Sequence, residues 1–302
     1  GYFSTFLRGV GAVSAYNKIN VVAKFVQIVF SIVLMMAGLD IVAVASAYLL
    51  YGFLLRVISK RVFFGYQDLG NRIKELEVRT SNQEKKELFL TVWHNAWRDG
   101  AVSLANYLAN QASTLIASFY FSLEETGIYS ISVQLVTALI TISGALYTAY
   151  QPAMQSAYVN KNRKKAEELM GTAMAANLFL FFLGMMGLII VGLPVLRVIK
   201  PTTVFSIPVI IGVGIYNYLY KRQTYYASFI SNTNHVPYMK SYIISSILGI
   251  IMALVLIKLC NWGIWGLVIG QLIPQLAYNC WKWPNEVYEM LDTSMIRMWK
   301  RG

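Results

Sequence analysis

Cysteine and histidine are scarce in this sequence, which has two of each among its 302 residues. Cys260 and Cys280 flank one apolar stretch, and at 1.5 Å per residue of helix they would lie about 30 Å apart, too far to form a disulfide with each other. His94 and His235 have no second ligand at metal-binding spacing. The sequence therefore predicts neither an internal disulfide nor a metal site, and we expect no cofactor.

Motifs for catalysis and for nucleotide binding are also absent. There is no Gly-x-x-x-x-Gly-Lys-Ser/Thr segment that would indicate an ATP site. There is no Gly-x-Ser-x-Gly segment, paired-carboxylate pattern or Cys/His arrangement that would indicate an enzyme. These absences favour a transporter over an enzyme. Its energy source would be a gradient, mass action across the membrane, or a part of the protein outside this sequence.

Charged residues make up 13% of the chain, whereas 57% of the residues are hydrophobic and the mean hydropathy is +0.51. A soluble domain of this size needs more polar surface than that. The apolar residues form blocks of roughly 20, the length that spans a bilayer core. The sequence predicts an all-α integral membrane protein, a polytopic bundle with a partial span at 2–13 and about eight complete spans at 19–37, 39–58, 95–120, 127–150, 170–193, 206–231, 238–258 and 263–282.

The formal net charge is +12, and the basic residues lie mostly in every second joint between spans. These joints are 59–87, 160–165 and the tail from 284 to 302, which the positive-inside effect places in the cytoplasm together with the C-terminus. The same effect explains the positive charge, so we expect no nucleic acid partner. The tail is predicted either as a short helix on the inner membrane surface or as a frayed polar segment.

An internal repeat indicates the domain organisation. A shift of about 222 residues aligns Tyr16 and Lys18 with Tyr238 and Lys240, and it matches the spans at the two ends of the chain in the same orientation. We therefore expect two parallel halves, with about three spans missing before Gly1. The predicted domains are the end of a first transmembrane lobe at 1–58, a cytoplasmic linker at 59–87, a second six-helix lobe at 88–283 and the tail at 284–302.

Four predicted spans carry polar side chains at helical spacing, which indicates either a wet cavity or hydrogen bonds between helices. For serine and threonine we expect bonds to their own helix backbone or to neighbouring helices. Charged side chains differ, because each costs roughly 2.5–3.5 kcal/mol at the bilayer centre. The predicted residues of a substrate lumen are Lys24, Arg98, Asn106, Asn110, Gln134, Asn217, Tyr220, Lys221 and Arg222.

Lys221 and Arg222 fall near mid-membrane, and a water-filled cavity explains them best. Lys24 and Arg98 lie closer to the cytoplasm, where snorkelling is an equal alternative, and Asp99 is a local counter-ion for Arg98. The intramembrane charge is positive on balance. This balance predicts an anionic ligand such as a phosphate or pyrophosphate, with amides and tyrosines available for sugar hydroxyls.

Several weak motifs in a constant order resemble the polysaccharide flippases of the Wzx type, in the multidrug/oligosaccharidyl-lipid/polysaccharide exporter superfamily. The resemblance covers nearly the whole chain, and no single motif is diagnostic. It is carried by Gly9-x-Gly11 through Tyr16–Ile19, Glu125–Ser130 with Gln134, Gln151-Pro152 before the basic turn at 160–165, Asn234–Ser241 and Trp262–Gly266.

The resemblance implies a multi-pass protein of the bacterial inner membrane, with two six-helix lobes in a MOP/MATE-like architecture. Such proteins carry undecaprenyl-pyrophosphate-linked oligosaccharides between leaflets by alternating access through a cationic lumen. Membrane lipid and polysaccharide polymerase or assembly proteins are the other expected partners. Lumen residues vary with the sugar, so the resemblance transfers a role and no residue list. This sequence departs from the family by beginning within what looks like the fourth helix.

Three other functions stay open at the level of sequence. A drug/cation antiporter of the same superfamily would need carboxylates facing its lumen. A membrane enzyme such as a polysaccharide polymerase would need a large outer loop with catalytic arginine or histidine, whereas the outer joints here are short. A structural partner in a polysaccharide assembly complex is compatible with the same composition.

Overall fold

The computed structural model describes residues 2–66, 69–79, 81–233 and 235–301, and within these ranges every regular element is a helix. Several helices are long and apolar enough to cross a membrane. The prediction of an all-α, polytopic membrane protein is thereby confirmed. The chain divides after Phe89 into unit 1 (Gly1–Phe89) and unit 2 (Leu90–Gly302).

Unit 1 consists of α1 (Tyr2–Gly9), α2 (Val13–Met36), α3 (Asp40–Gly65), α4 (Leu69–Arg79) and the first residues of α5 (Asn82–Tyr120). Gly11 and Gly38 separate the first three helices with φ of 81° and 82°, the left-handed conformation that glycine adopts without steric cost. Much of the segment predicted as a linker at 59–87 is therefore helical.

Small residues let α2 and α3 pack closely. Ala23 on α2 and Ala43 and Ala47 on α3 have no exposed surface. By contrast, Phe25 on α2 is 67% exposed, as an apolar side chain is when lipid is its solvent. Small side chains thus allow α2 to pack closely on α3, and large apolar side chains such as Phe25 are exposed.

Unit 2 continues α5 and contains nine further α-helices among the described residues. They are α6 (Leu123–Ser143), α7 (Ala145–Val159), α8 (Arg163–Gly187), α9 (Leu193–Ile199), α10 (Ile207–Ile230), α11 (Met239–Lys258), α12 (Ile264–Pro274), α13 (Cys280–Met290) and α14 (Met295–Arg301). Among the described residues, two π-helical turns join consecutive α-helices, Leu188–Gly192 between α8 and α9 and Gln275–Asn279 between α12 and α13. Helix α10 packs against α6, α12 and α13, so it lies within the bundle.

Within the described part of the chain, five segments have the length and apolar composition of a membrane span: Ser14–Met36, Val42–Gly65, Leu123–Ser143, Arg163–Ile199 and Met239–Lys258. The other three predicted spans, at 95–120, 206–231 and 263–282, coincide with α5, with α10 and with α12 and α13. These three segments carry more polar side chains. They are therefore the helices in which a ligand site is to be sought.

The predicted span at 127–150 is not one continuous helix, because Gly144 interrupts the helical structure between α6 and α7. A Cβ built on Gly144 would lie 1.8 Å from the hydroxyl oxygen of Tyr225 on α10. The Tyr147 hydroxyl in turn donates a hydrogen bond to the Tyr225 carbonyl at 2.6 Å. The interruption at Gly144 therefore coincides with close packing against α10. Hydrophobic periodicity in the sequence does not reveal such a contact.

We expect Gly144→Ala to destabilise the protein by about 1–3 kcal/mol, because the added methyl group overlaps the Tyr225 hydroxyl. Adding Tyr225→Phe removes that oxygen, and the nearest remaining ring atom, Cζ, lies 3.0 Å from the built Cβ. The double variant should therefore recover part of the lost thermal stability in detergent. If Gly144→Ala unfolds at the wild-type temperature, the close approach of α10 to this break is wrong.

The shift of about 222 residues that aligns the two ends of the sequence also relates helix ends. Met36, the last residue of α2, corresponds to Lys258, the last residue of α11. Leu7 is buried in unit 1, and its counterpart Phe229 is buried in unit 2. The division into two equivalent lobes nevertheless stays a prediction.

The C-terminal segment is helical and packed in place. Helix α13 continues beyond the predicted span to Met290, and α14 packs against α8 with Met298 fully buried. The Thr293 hydroxyl donates a hydrogen bond to Glu167 Oε1 at 2.5 Å. Ile296 is 70% exposed on the same short helix. The tail is thus a helix, and its place on the inner membrane surface stays a prediction.

Candidate functional site

The two predicted mid-membrane cations lie next to each other on α10, and both are half-buried. Lys221 Nζ lies 5.4 Å from the ring centroid of Tyr225, and Arg222 Cζ lies 5.4 Å from the ring centroid of Tyr226. Each cation therefore rests over the tyrosine one helical turn later, because residues four apart share a helix face. Adjacent residues differ by about 100° around a helix, so the two pairs point to different sides of α10.

The tyrosines beneath these cations are fixed by other helices of unit 2. The Tyr225 ring stacks on Tyr147 of α7 with centroids 4.1 Å apart. The hydroxyl oxygens of Tyr226 and Tyr288 of α13 lie 3.1 Å apart, within hydrogen-bonding distance. Buried aromatic partners of this kind give Lys221 and Arg222 defined positions.

No carboxylate of a residue that the structure describes forms an ion pair with Lys221 or Arg222, since the ion pairs found are Lys165–Glu168 and Lys282–Glu286. A cation–π contact is worth about 0.5–2 kcal/mol and leaves the positive charge without neutralisation. Both side chains therefore keep hydrogen-bond donors for an anionic group.

Tyr220 and Asn217 occupy the same stretch of α10. The buried Tyr220 hydroxyl has no hydrogen-bond partner among the described protein groups. Asn217 Nδ2 donates to the Val213 carbonyl of its own helix at 2.9 Å. Thr224 likewise donates to the Tyr220 carbonyl, as predicted for threonine in these spans. Tyr220 thus supplies a free polar atom one residue before the cations.

Gln134 lies on α6 with an exposed side chain, whereas Gln151 of α7 donates to Ser228 Oγ of α10 at 2.8 Å. The structure therefore gives Gln151 a contact between helices that Gln134 lacks among the described residues. Gln151 is not among the predicted lumen residues.

Arg98 and Asp99 on α5 do not neutralise each other. The guanidinium carbon of Arg98 lies 5.8 Å from the centroid of Trp97, and Asp99 Oδ1 accepts a hydrogen bond from the Tyr238 hydroxyl at 3.1 Å. The suggested local Arg98–Asp99 pair is therefore wrong within the described part of the chain. Asn106 and Asn110 belong to the same helix, but their side chains fall outside the described residues.

The remaining predicted lumen residue, Lys24, lies in unit 1 and is exposed on α2. Its ammonium group lies 5.0 Å from the ring centroid of Tyr48 and 5.2 Å from that of Tyr51, both on α3. The Tyr51 hydroxyl donates to Asn20 Oδ1 at 2.9 Å. Unit 1 thus carries its own cation among tyrosines and an amide.

The sequence analysis missed a buried amide network beside α10. Gln223, Gln275 and Asn279 are at most 2% exposed, and Gln223 Nε2 donates to Gln275 Oε1 at 2.6 Å. The pattern was available in the sequence, because Gln271, Gln275 and Asn279 recur every four residues and so lie near one helix face. None of these amides is among the predicted lumen residues.

The fold and this site define a multi-pass helical membrane protein with two half-buried cations on α10, neither of which has a carboxylate partner among the described residues. The chain matches the family model described as "Polysaccharide biosynthesis protein" over residues 13–202, which is more than half of its length. It therefore belongs to that family. No curated protein and no solved structure matches it.

Proposed function

We propose that this protein is a flippase that moves undecaprenyl-pyrophosphate-linked oligosaccharides across the bacterial inner membrane, for the synthesis of O-antigen, capsule or exopolysaccharide. One observation carries the proposal: Lys221 and Arg222 are half-buried on α10 without a carboxylate partner among the described residues. Membership of a polysaccharide biosynthesis family supports the glycan part of the substrate.

The chemistry of the two cations supports a pyrophosphate as the anionic part of the substrate. Arginine binds phosphate oxygens with a planar fork of donors, whereas lysine binds them as a compact charge. Hydrogen bonds to charged groups are worth about 1.5–3 kcal/mol each, so a pyrophosphate offsets the cost of holding two cations within the bilayer. A neutral ligand would not offset that cost.

The uncharged polar groups near these cations would bind the sugar part of the substrate. The free Tyr220 hydroxyl is suited to a sugar hydroxyl, and the amides of Asn217 and Gln134 add donors and acceptors. Lys24, Arg98, Asn106 and Asn110 stay in the proposed lumen as sequence-based members. The reaction is transport by alternating access, so no covalent step and no catalytic group are required.

The proposed setting is the inner membrane, with the basic joints and the C-terminus in the cytoplasm. There the lipid-linked substrate is supplied on the cytoplasmic side and used on the other side. Polysaccharide polymerase or assembly proteins are the proposed partners after transport. Two six-helix lobes are the proposed architecture of the full-length protein.

Transport in proteoliposomes tests the proposal directly. The full-length protein should move a fluorescent undecaprenyl-pyrophosphate-linked oligosaccharide between leaflets, and undecaprenyl pyrophosphate should compete. A cationic drug such as ethidium should neither compete nor be transported. Drug transport without movement of the lipid-linked glycan would favour the antiporter alternative and overturn the proposal.

A further inference from the structure

The helical segment that begins at Ile264 changes its hydrogen-bonding pattern near its centre. Helix α12 ends at Pro274, the π-helical turn Gln275–Asn279 follows, and α13 begins at Cys280. Proline cannot donate a backbone hydrogen bond, and a π turn is wider than an α-helical turn. Such turns are rare and occur frequently at functional sites. This one lies against α10, the helix of the two unpaired cations.

Side chains from the π turn form a connected polar network with neighbouring helices. Gln275 Oε1 accepts from Gln223 Nε2 of α10 at 2.6 Å and from Asn279 Nδ2 at 2.9 Å. Asn279 Nδ2 also donates to Ser245 Oγ of α11 at 2.8 Å. Trp283 Nε1 of α13 donates to Asn279 Oδ1 at 2.8 Å. The network therefore joins the π turn to α10, α11 and α13.

The α10 member of the network is the residue directly after the two cations. Gln223 Oε1 also accepts from Cys280 Sγ at 3.3 Å, so α13 holds Gln223 from a second side. Contacts of Gln223 with the π turn and with α13 fix the rotation of α10, because each residue is offset by about 100° from the one before it. The directions of Lys221 and Arg222 follow from that rotation.

Stability alone does not require amides at these places. Apolar side chains could fill the same volume, and hydrogen bonds between membrane helices contribute little individually. A hydrogen-bonded network differs from apolar packing because it is directional and specifies one arrangement of its helices. A polar network at this position is therefore suited to setting the geometry of α10.

We propose that Gln223, Gln275 and Asn279 are positioning residues for Lys221 and Arg222, and that they couple the π turn between α12 and α13 to the direction of these cations. The inference rests on the proposed function, since the cations are there the groups that bind the pyrophosphate. A change in the π turn would then re-aim the cations during transport.

The test replaces both ends of the central hydrogen bond in the full-length protein. Gln223→Met with Gln275→Met keeps side-chain length and removes both amides of that bond. Asn279 Nδ2 loses Gln275 as an acceptor and keeps Ser245 Oγ. Thermal unfolding in detergent reports stability. The rate at which a water-soluble thiol reagent modifies Lys221→Cys, followed by mass spectrometry of its peptide, reports position without requiring transport.

We expect the double methionine variant to unfold close to the wild-type temperature. The modification rate at position 221 should nevertheless change by about threefold or more, the scale of coupling that such networks carry. In the protein with Lys221 intact, the concentration of lipid-linked oligosaccharide at half-maximal transport should rise more than the maximal rate falls. An unchanged modification rate in the folded double variant overturns the proposal.

A matched control replaces another buried polar pair of unit 2. Asn177 Nδ2 of α8 donates to Ser143 Oγ of α6 at 3.2 Å, and Asn177→Leu with Ser143→Ala should leave the rate at position 221 unchanged. Should the double methionine variant fail to fold, Cys280→Ala alone removes one contact of Gln223 and should also change the rate at position 221. No change in Cys280→Ala would then overturn the proposal.

The two readouts separate this inference from the proposed function. If neither the wild-type protein nor the variants transport the lipid-linked glycan, but the modification rate at position 221 changes, the positioning role stands and the proposed substrate is wrong. If transport is intact and competed by undecaprenyl pyrophosphate while the rate stays constant, the substrate stands and the positioning role is wrong.

Discussion

Replacing Lys221 and Arg222 with glutamine in the full-length protein should reduce surface polysaccharide by at least about tenfold, since each hydrogen bond to a charged group is worth about 1.5–3 kcal/mol. Both side chains are half-buried, and neither has a carboxylate partner among the described residues. Removing their charges should thus weaken pyrophosphate binding without leaving a buried acid unpaired. Surface polysaccharide is measured at equal protein levels in a host that lacks its own flippase.

Two comparisons make this result specific. Arg163→Gln with Lys164→Gln removes an adjacent basic pair from the exposed start of α8 and should preserve the polysaccharide. Lys221→Arg with Arg222→Lys keeps both charges but alters the donor geometry, so an intermediate level is expected. Wild-type polysaccharide from the double glutamine variant would remove the argument for an anionic substrate.

Gly270→Ala should destabilise the protein by about 3 kcal/mol, the upper part of the usual range for overpacking. A Cβ built on Gly270 would lie 2.5 Å from the Cα and the backbone nitrogen of Ala253 on α11. Backbone atoms cannot rotate away as a side chain can, so α11 and α12 must separate. We expect a lower unfolding temperature in detergent and less folded protein in the membrane.

Gly127→Ala in α6 is the matched control, because a Cβ at Gly127 meets nothing within 4 Å. Alanine favours a helix over glycine by about 0.5–1 kcal/mol, so this variant should unfold at or above the wild-type temperature. Equal behaviour of the two alanine variants would contradict the close approach of α11 to α12.

Small residues recur every four positions in both helices, a sequence pattern that favours close packing. Gly249 and Ala253 on α11 and Gly266 and Gly270 on α12 are all buried, as a small-residue ridge requires. Helix type and the approximate extent of most spans follow from hydropathy for the same physical reason, since the bilayer fixes their length. The break at Gly144 depends on Tyr225, which lies far along the chain.

The candidate site was predictable only in part. Lys221 and Arg222 stand out because charge is costly in a bilayer, and their tyrosine partners lie four residues later on the same helix. The contact between Tyr226 and Tyr288 joins residues 62 positions apart, which no local pattern indicates. Asp99 was expected to neutralise its neighbour Arg98, whereas it accepts a hydrogen bond from Tyr238 on another part of the chain.

The π turn between α12 and α13 illustrates a different limit. A proline such as Pro274 favours a bend in a membrane helix, but the formation of a wider turn depends on which tertiary contacts satisfy the backbone around it. Gln275 and Asn279 find those contacts on α10 and α11. Polar residues at four-residue spacing could have indicated a buried polar face, but not which helix it meets.

The central claim is that the cations of α10 face a water-accessible route that takes up an anionic lipid headgroup. Lys221→Cys and Arg222→Cys, introduced separately into the full-length protein in native membranes, test it through their reaction with a charged, water-soluble thiol reagent. The account predicts that at least one position reacts and that undecaprenyl pyrophosphate slows the reaction. Reaction of both positions only with lipid-soluble reagents, at rates that undecaprenyl pyrophosphate leaves unchanged, would contradict it.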